Sequence, residues 1–213
     1  MEPTKYWKVA RKWVGQPAFI VAGGTSVTRE MLDMIKGRNV VVINQSYQSA
    51  PWAPILFFAD QRWWVRETRE RPRQLEAFRG LIATTSRQAK GKRLLRLRRI
   101  APEEKVPSRP DTVRLRRTGL LSAMDICYHR GASEIVLLGA DNRDGDNGRA
   151  HHHEEYPWPR PKNTWDVKVE DLQKGAKSFK DVGLPITNCS PITTLRFWPV
   201  KPLEEVLDRI DHA

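Results

Sequence analysis

Three consecutive histidines, His151, His152 and His153, lie in a stretch from Asn142 to Trp165 that also holds Asp144-Gly145-Asp146, Glu154-Glu155 and Tyr156. An unperturbed imidazole titrates at about 6.5, so one of the three can take a proton from a hydroxyl as a general base. The same histidines, with Asp141, Asp144 or Asp146, also offer ligands to a metal. Neighbouring side chains of an extended chain point to opposite sides, which works against adjacent histidines sharing one ion. A solvated polar loop is the third reading. Because long loops inside compact α/β domains are usually functional or disordered, and this one follows an apolar run, a functional loop over 142–165 is the expectation.

A second candidate lies upstream, where Ala18-Phe19-Ile20-Val21-Ala22 breaks into Gly23-Gly24-Thr25-Ser26. Apolar residues without alternation predict a central parallel strand covered on both faces. The two glycines allow a sharp turn and a close approach, and Ser26 or Thr28 is placed to cap a helix running to Ile35. Free amides at such a helix start favour a phosphate. The stretch is neither the three-glycine dinucleotide fingerprint nor a P-loop.

The elements that must position these groups follow the same pattern. Apolar runs predict strands over 39–44, 54–60, 80–84 and 134–139, with a short last strand over 184–189. Asn44 and Asp60 then stand at strand ends, the edge at which open parallel sheets bind ligands. Helices are predicted over 61–78 with a break near Pro72, from Thr118-Gly119 to a stop at Gly131, over 167–182, and from Pro202. Trp7 and Trp13 are expected packing anchors in a basic lead-in. The whole is expected to be one α/β domain over residues 1–213, the edge of its sheet being suited to a nucleotide.

Charge is concentrated. The chain carries a net charge of +12, and the segment 87–117 holds twelve Lys and Arg against three acidic residues. Arg93, Arg96, Arg98, Arg99, Arg114, Arg116 and Arg117 are its candidates for binding a nucleic-acid backbone, a polyanion that would be held by phosphate contacts and counterion release. A solvated basic insertion is the alternative. Leu94, Leu95, Leu97 and Ile100 suggest an ordered strand within it, and Pro102, Pro107 and Pro110 a mobile loop. No apolar run is long enough to span a membrane, Met1 to Val14 has no apolar signal core, and two cysteines make no disulfide framework. A cytoplasmic protein with reduced thiols is expected.

Taken in order, the Gly23-Gly24-Thr25-Ser26 turn, Asn44-Gln45, Thr118-Gly119 with its helix, Gly139-Ala140-Asp141, the histidine loop and Asn188-Cys189-Ser190-Pro191 resemble bacterial sialyltransferases of the Campylobacter lipooligosaccharide type. They are similar also to the superfamily that includes motility accessory factors, archaeal 6-hydroxymethylpterin pyrophosphokinases and short phage proteins. The resemblance implies a single Rossmann-like domain, a GT-A-like variant with a mostly parallel sheet and helices on both faces. It implies a metal-independent, inverting transfer of a sugar from a nucleotide-activated donor, the nucleotide-sugar being a co-substrate and no further cofactor being required. Gly23, Gly24, Thr25 and Ser26 would then cradle the donor phosphate and ribose. Asn44 and Asp141 would contact the nucleotide, Thr118 and Gly119 the sugar or phosphate, and a histidine of 151–153 would deprotonate the acceptor.

The chain departs from that pattern where the sialyltransferases use two tyrosines to steady the leaving phosphate; Asn142 and Arg143 stand here, and Arg143 can supply the charge instead. Asp60 resembles the pyrophosphokinase branch, in which Asp144-Gly145-Asp146 would hold Mg²⁺ with ATP. Three functions are therefore expected in order: a glycosyltransferase acting on a hydroxyl acceptor, such as modified phage DNA in an infected or prophage-bearing bacterial cell; an ATP- and Mg²⁺-dependent pyrophosphokinase; and a non-enzymatic nucleotide- or nucleic-acid-binding phage protein.

Overall fold

The computed structural model describes residues 5–102, 105–160 and 164–212. Its centre is a seven-stranded sheet in which every strand pair is parallel. The chain enters through β1 (Pro17–Val21), α1 (Arg29–Met34) and β2 (Asn39–Ile43), passes a 3-10 turn (Asn44–Gln48), and continues through β3 (Ile55–Phe58), α2 (Gln61–Glu70), α3 (Pro72–Ala77), β4 (Leu81–Thr84) and β5 (Leu94–Arg96). Then follow β6 (Arg98–Ile100), β7 (Thr112–Arg114), α4 (Gly119–Arg130), β8 (Glu134–Leu138), α5 (Thr164–Asp181), β9 (Ile186–Asn188) and α6 (Leu203–Asp211).

The sheet order is β5-β4-β3-β2-β1-β8-β9, so the winding reverses between β1 and β8. The central strands are apolar without alternation because both faces are covered. Ala18, Ile20, Val41 and Phe57 pack with α4 and α5, while Phe19, Val21, Val42 and Phe58 pack with α1, α2, α3 and α6. Trp63 and Trp64 of α2 fill the second layer, Trp64 stacking on Phe58 with centroids 4.7 Å apart.

Local signals fix the helix that faces the site. Thr118 caps α4, its hydroxyl accepting the Leu120 N–H at 3.2 Å, and Gly131 ends it at φ +89. The left-handed angle is one that only glycine adopts without cost. Pro72 opens α3 and separates it from α2, as its missing N–H requires.

The basic segment differs most from expectation. It is not an insertion with one strand: β5 forms the sheet edge and β6 pairs with β7 in a small second sheet. Arg114 is fully buried, its guanidinium bonded to Asp125 and to Ser178, so it belongs to the core rather than to a polyanion surface. Arg96 donates to the Ser86 and Ala89 carbonyls, Arg93 to those of Phe78 and Gly80, and Arg98 pairs with Asp111 while lying over Tyr6. Their charges tie the edge of the sheet together.

Among the described residues no helix is long and apolar enough to cross a membrane.

Candidate active site

The crevice outside the carboxyl ends of β1 and β8 is where a doubly wound sheet offers its ligand site. A cavity of about 780 Å³ opens there. Its walls include Gly23 and Gly24 after β1, Asn44 after β2, Asp60 after β3, and Thr118 and Gly119 at the start of α4. Arg143, His151, His153 and Tyr156 face it from the long loop. Five separate segments of chain thus converge on one space, although Thr25, Ser26, Asp141 and His152 do not line it.

Asp141 is instead a brace. Its carboxylate accepts the Ser26 N–H at 2.9 Å and the Ser26 hydroxyl, with the Thr25 hydroxyl at 3.5 Å. Gly24 donates its N–H to the Gly139 carbonyl at 2.9 Å, and Val27 donates to Gly24. Of the amides expected to cradle a phosphate, those of Gly24 and Ser26 are therefore spent on the Gly139-Ala140-Asp141 turn. The helix beyond, α1, has only six residues and is capped by Thr28, not Ser26. Both glycines make room for side chains: a Cβ on Gly24 would lie 2.4 Å from Asp141 Cγ, and one on Gly23 2.9 Å from His151 Nδ1.

A polar block after β9 holds the other turn. Asn188 Nδ2 and the Thr193 hydroxyl donate to the Ala140 carbonyl at 3.2 and 2.7 Å, while Ser190 Oγ accepts the Ala140 N–H at 2.8 Å. Those three side chains fix Gly139-Ala140-Asp141 at the end of β8. Asn188 and Ser190 were marked in the sequence only as part of a block; their partner is invisible without the fold.

The histidine loop is clamped at both sides. His152 donates its N–H to the Gly23 carbonyl at 3.0 Å, Glu155 accepts the Ala150 and His151 amides at 2.7 and 3.0 Å, and Glu154 is gripped by Arg66 and Arg71. The chain bends at His152 and His153. The His151 and His153 rings stack with centroids 4.8 Å apart, and the His152 ring meets that of His153 edge-on at 5.1 Å. His152 Nε2 lies 3.1 Å from the Ser46 hydroxyl, which donates in turn to the Ala22 carbonyl.

His153 has the geometry of an oriented base. Nδ1 lies 2.9 Å from the Glu154 carbonyl, which can only accept, so Nδ1 carries the proton and Nε2 the lone pair. That Nε2 faces the Gly23 backbone on the cavity wall. Burial lowers the proton affinity of all three rings, pushing His151 and His152 down to about 3.

The carboxylates proposed for Mg²⁺ are engaged elsewhere. Asp60 caps α2 and pairs with Arg62, Asp144 pairs with Arg160, and Asp146 pairs with Arg143 at 3.0 Å. Among the described residues no group of three or more His, Cys, Asp or Glu side chains converges as a metal-binding set.

Basic residues dominate the remaining wall. Arg99 and Arg116 reach it from β6 and from just after β7, and both are exposed. Arg117 also lines it but is held by Glu170 and Asp171 of α5. Sequence reasoning missed Lys168 of α5, which lines the cavity half-buried with its Nζ 4.3 Å from the Trp165 ring centre. Only the helical phase of α5 relative to the loop brings it there, and no local motif marks it.

No protein-family model matches the chain, and no curated protein sequence matches it. Among solved structures the fold is similar to the sialyltransferase CstII from Campylobacter jejuni in complex with a substrate analogue, cytidine-5'-monophosphate. That match has a TM-score of 0.52 and 15% identity, covering 87% of this chain and 85% of that one. CstII in complex with CMP-3FNeuAc matches at a TM-score of 0.49 and 14% identity, covering 87% and 86%. The likeness is one of fold: an α/β domain on a mostly parallel seven-stranded sheet.

Proposed function

We propose that this chain is a glycosyltransferase that uses a nucleotide-activated sugar, with His153 as the base that takes the acceptor proton. The observation that carries the reading is the His153 ring, with Nδ1 held on the Glu154 carbonyl and Nε2 presented at the cavity beside Gly23. In the transfer, the acceptor oxygen bonds to the anomeric carbon and its proton passes to Nε2. The bond from that carbon to the phosphate oxygen breaks, its electron pair going to the phosphate. The basic wall supplies the countercharge, so the step calls for no metal. The fold likeness to a CMP-bound sialyltransferase makes a cytidine nucleotide the first donor to test.

Protein thermal stability should be measured against CMP, UMP, UDP, GDP, ADP and ATP, each with and without Mg²⁺. A ligand at about 100 times its Kd stabilises by about 2.7 kcal/mol. Stabilisation by a nucleoside mono- or diphosphate without metal supports the transferase and names its donor class. A response only to ATP with Mg²⁺ selects the pyrophosphokinase, in which Asp60 and Asp144 would have to leave Arg62 and Arg160 to reach a metal. No response to any nucleotide sinks both.

A DNA acceptor within this reading rests on Arg99 and Arg116, the two arginines of the basic segment that stand exposed at the cavity. Passage through a DNA column unretained at low salt removes that acceptor and leaves a smaller hydroxyl compound.

A further inference from the structure

Most charges around the cavity are matched. Arg62 pairs with Asp60, Arg143 with Asp146, Arg160 with Asp144 and Arg117 with Glu170, while Glu155 accepts two backbone amides. Arg99 and Arg116 are exposed to solvent, whereas Lys168 is half-buried. It makes no ion pair among the described residues, and the nearby carboxylate that would suit it, Asp144, is bonded through both oxygens to Arg160. Its ammonium rests on Trp165, whose indole N–H is buried without an acceptor among the described residues. Lys168 therefore lines the cavity on the face of Trp165 with no ion pair among the described residues. A cation on an aromatic face without a counterion is a natural seat for an anion.

We propose that Lys168, held on the face of Trp165, forms an anion subsite that takes a phosphate of the ligand in the cavity. This rests on the reading of the cavity as a donor site, and it names which side chain meets the leaving phosphate. Arg143, the sequence's candidate for that task, is spent on Asp146 and the Asp144 carbonyl. As the bond to the anomeric carbon breaks, charge accumulates on the phosphate oxygens, and Lys168 stabilises it by staying protonated. Burial, and then the Arg160 charge, opposed by Asp144, bring the ammonium down to about 8. His151, which feels the Lys168 charge, is neutral in this range.

The test uses two probes with the full chain: CMP, and sulfate, a dianion whose charge is constant in the alkaline range. Binding of each is titrated at pH 7 and at pH 9.5 for the wild type, Lys168→Met and Lys168→Arg. The expected result is that the wild type binds both probes more weakly at the higher pH. Lys168→Met should lose about tenfold or more at pH 7, the loss of one charge-assisted hydrogen bond, and lose the pH step. Lys168→Arg should keep binding at both pH values, again without the step. Wild-type affinity in Lys168→Met, a pH step that survives in Lys168→Arg, or no sulfate binding by the wild type overturns the subsite. If Lys168→Met does not fold, Lys168→Arg and the wild-type profile still decide. Sulfate binding that depends on Lys168, without any nucleotide binding, would sink the glycosyltransferase reading and leave the subsite standing; nucleotide binding indifferent to Lys168 does the reverse.

Discussion

Ser26 and Asp141 join the two turns that flank the reversal of the sheet, the Ser26 N–H and hydroxyl meeting separate oxygens of one carboxylate. Ser26 follows β1 and Asp141 follows β8, so this contact closes the floor of the crevice across neighbouring strands. Asp141 is 1% exposed, with the Gly24 backbone packed close against its carboxylate.

Replacing Asp141 with Ala should therefore act first on stability. It leaves the Ser26 amide and hydroxyl without their acceptor, at a cost of about 1–3 kcal/mol. Urea unfolding of D141A should show that loss with an unchanged slope. Unaltered stability would mean the brace contributes nothing. Gly24→Ala should be harsher, since its Cβ would meet Asp141 and the Gly139 carbonyl at 2.4 and 2.5 Å.

The three histidines should separate by the partners they meet. His153→Asn should lower kcat by about 10²–10⁴, the range for a lost general base, with little change in donor binding. His152→Asn should lower the melting temperature while leaving the chemistry near wild type, because its ring meets Ser46 away from the cavity. Steady-state kinetics on both variants, alongside melting curves, checks the division. Equal kinetic loss in the two would contradict it.

Acid should weaken the protein through the same loop. A buried histidine has a folded pKa below its unfolded value, so below 6.5 the unfolded chain binds more protons and folding loses ground. His151 and His152 extend this window down to about 3, while above about 6.5 their contribution is flat. The slope contributed by each histidine is at most about 1.4 kcal/mol per pH unit. Chemical denaturation between pH 7 and pH 4 should show stability falling, and a shallower fall in His152→Asn. Constant stability across that range would overturn this account.

Arg114 and Arg116 are two residues apart and should behave as different kinds of residue. Arg114→Ala leaves the fully buried Asp125 carboxyl without its guanidinium partner, a loss of about 3–5 kcal/mol. Arg116→Ala and Arg99→Ala should change stability by less than about 0.5 kcal/mol, as exposed positions do, while weakening anion binding and its salt dependence. Unfolding curves and retention on an anionic column separate the two classes. Loss of retention in none of the variants would remove the basic wall as a binding surface.

The chain's own pattern determined the layered architecture. Runs such as Phe19-Ile20-Val21 and Val40-Val41-Val42 have no polar face, as strands covered on both sides require, and the Thr118 and Gly131 signals bound the helix between them. Those are local effects of side-chain polarity and backbone freedom, and they act at any place in a fold. What the tertiary structure alone decided was which polar groups are spent on other groups. Asp141 and Arg114 look like ligand-binding residues in sequence, yet one is consumed by Ser26 and the other by Asp125, which stand 115 and 11 positions away along the chain. Lys168 carries no motif, yet lies in the cavity with no ion pair among the described residues. A charge is available to a ligand only if no nearer partner neutralises it, and that is set by contacts between segments distant in sequence, which periodicity and spacing do not encode.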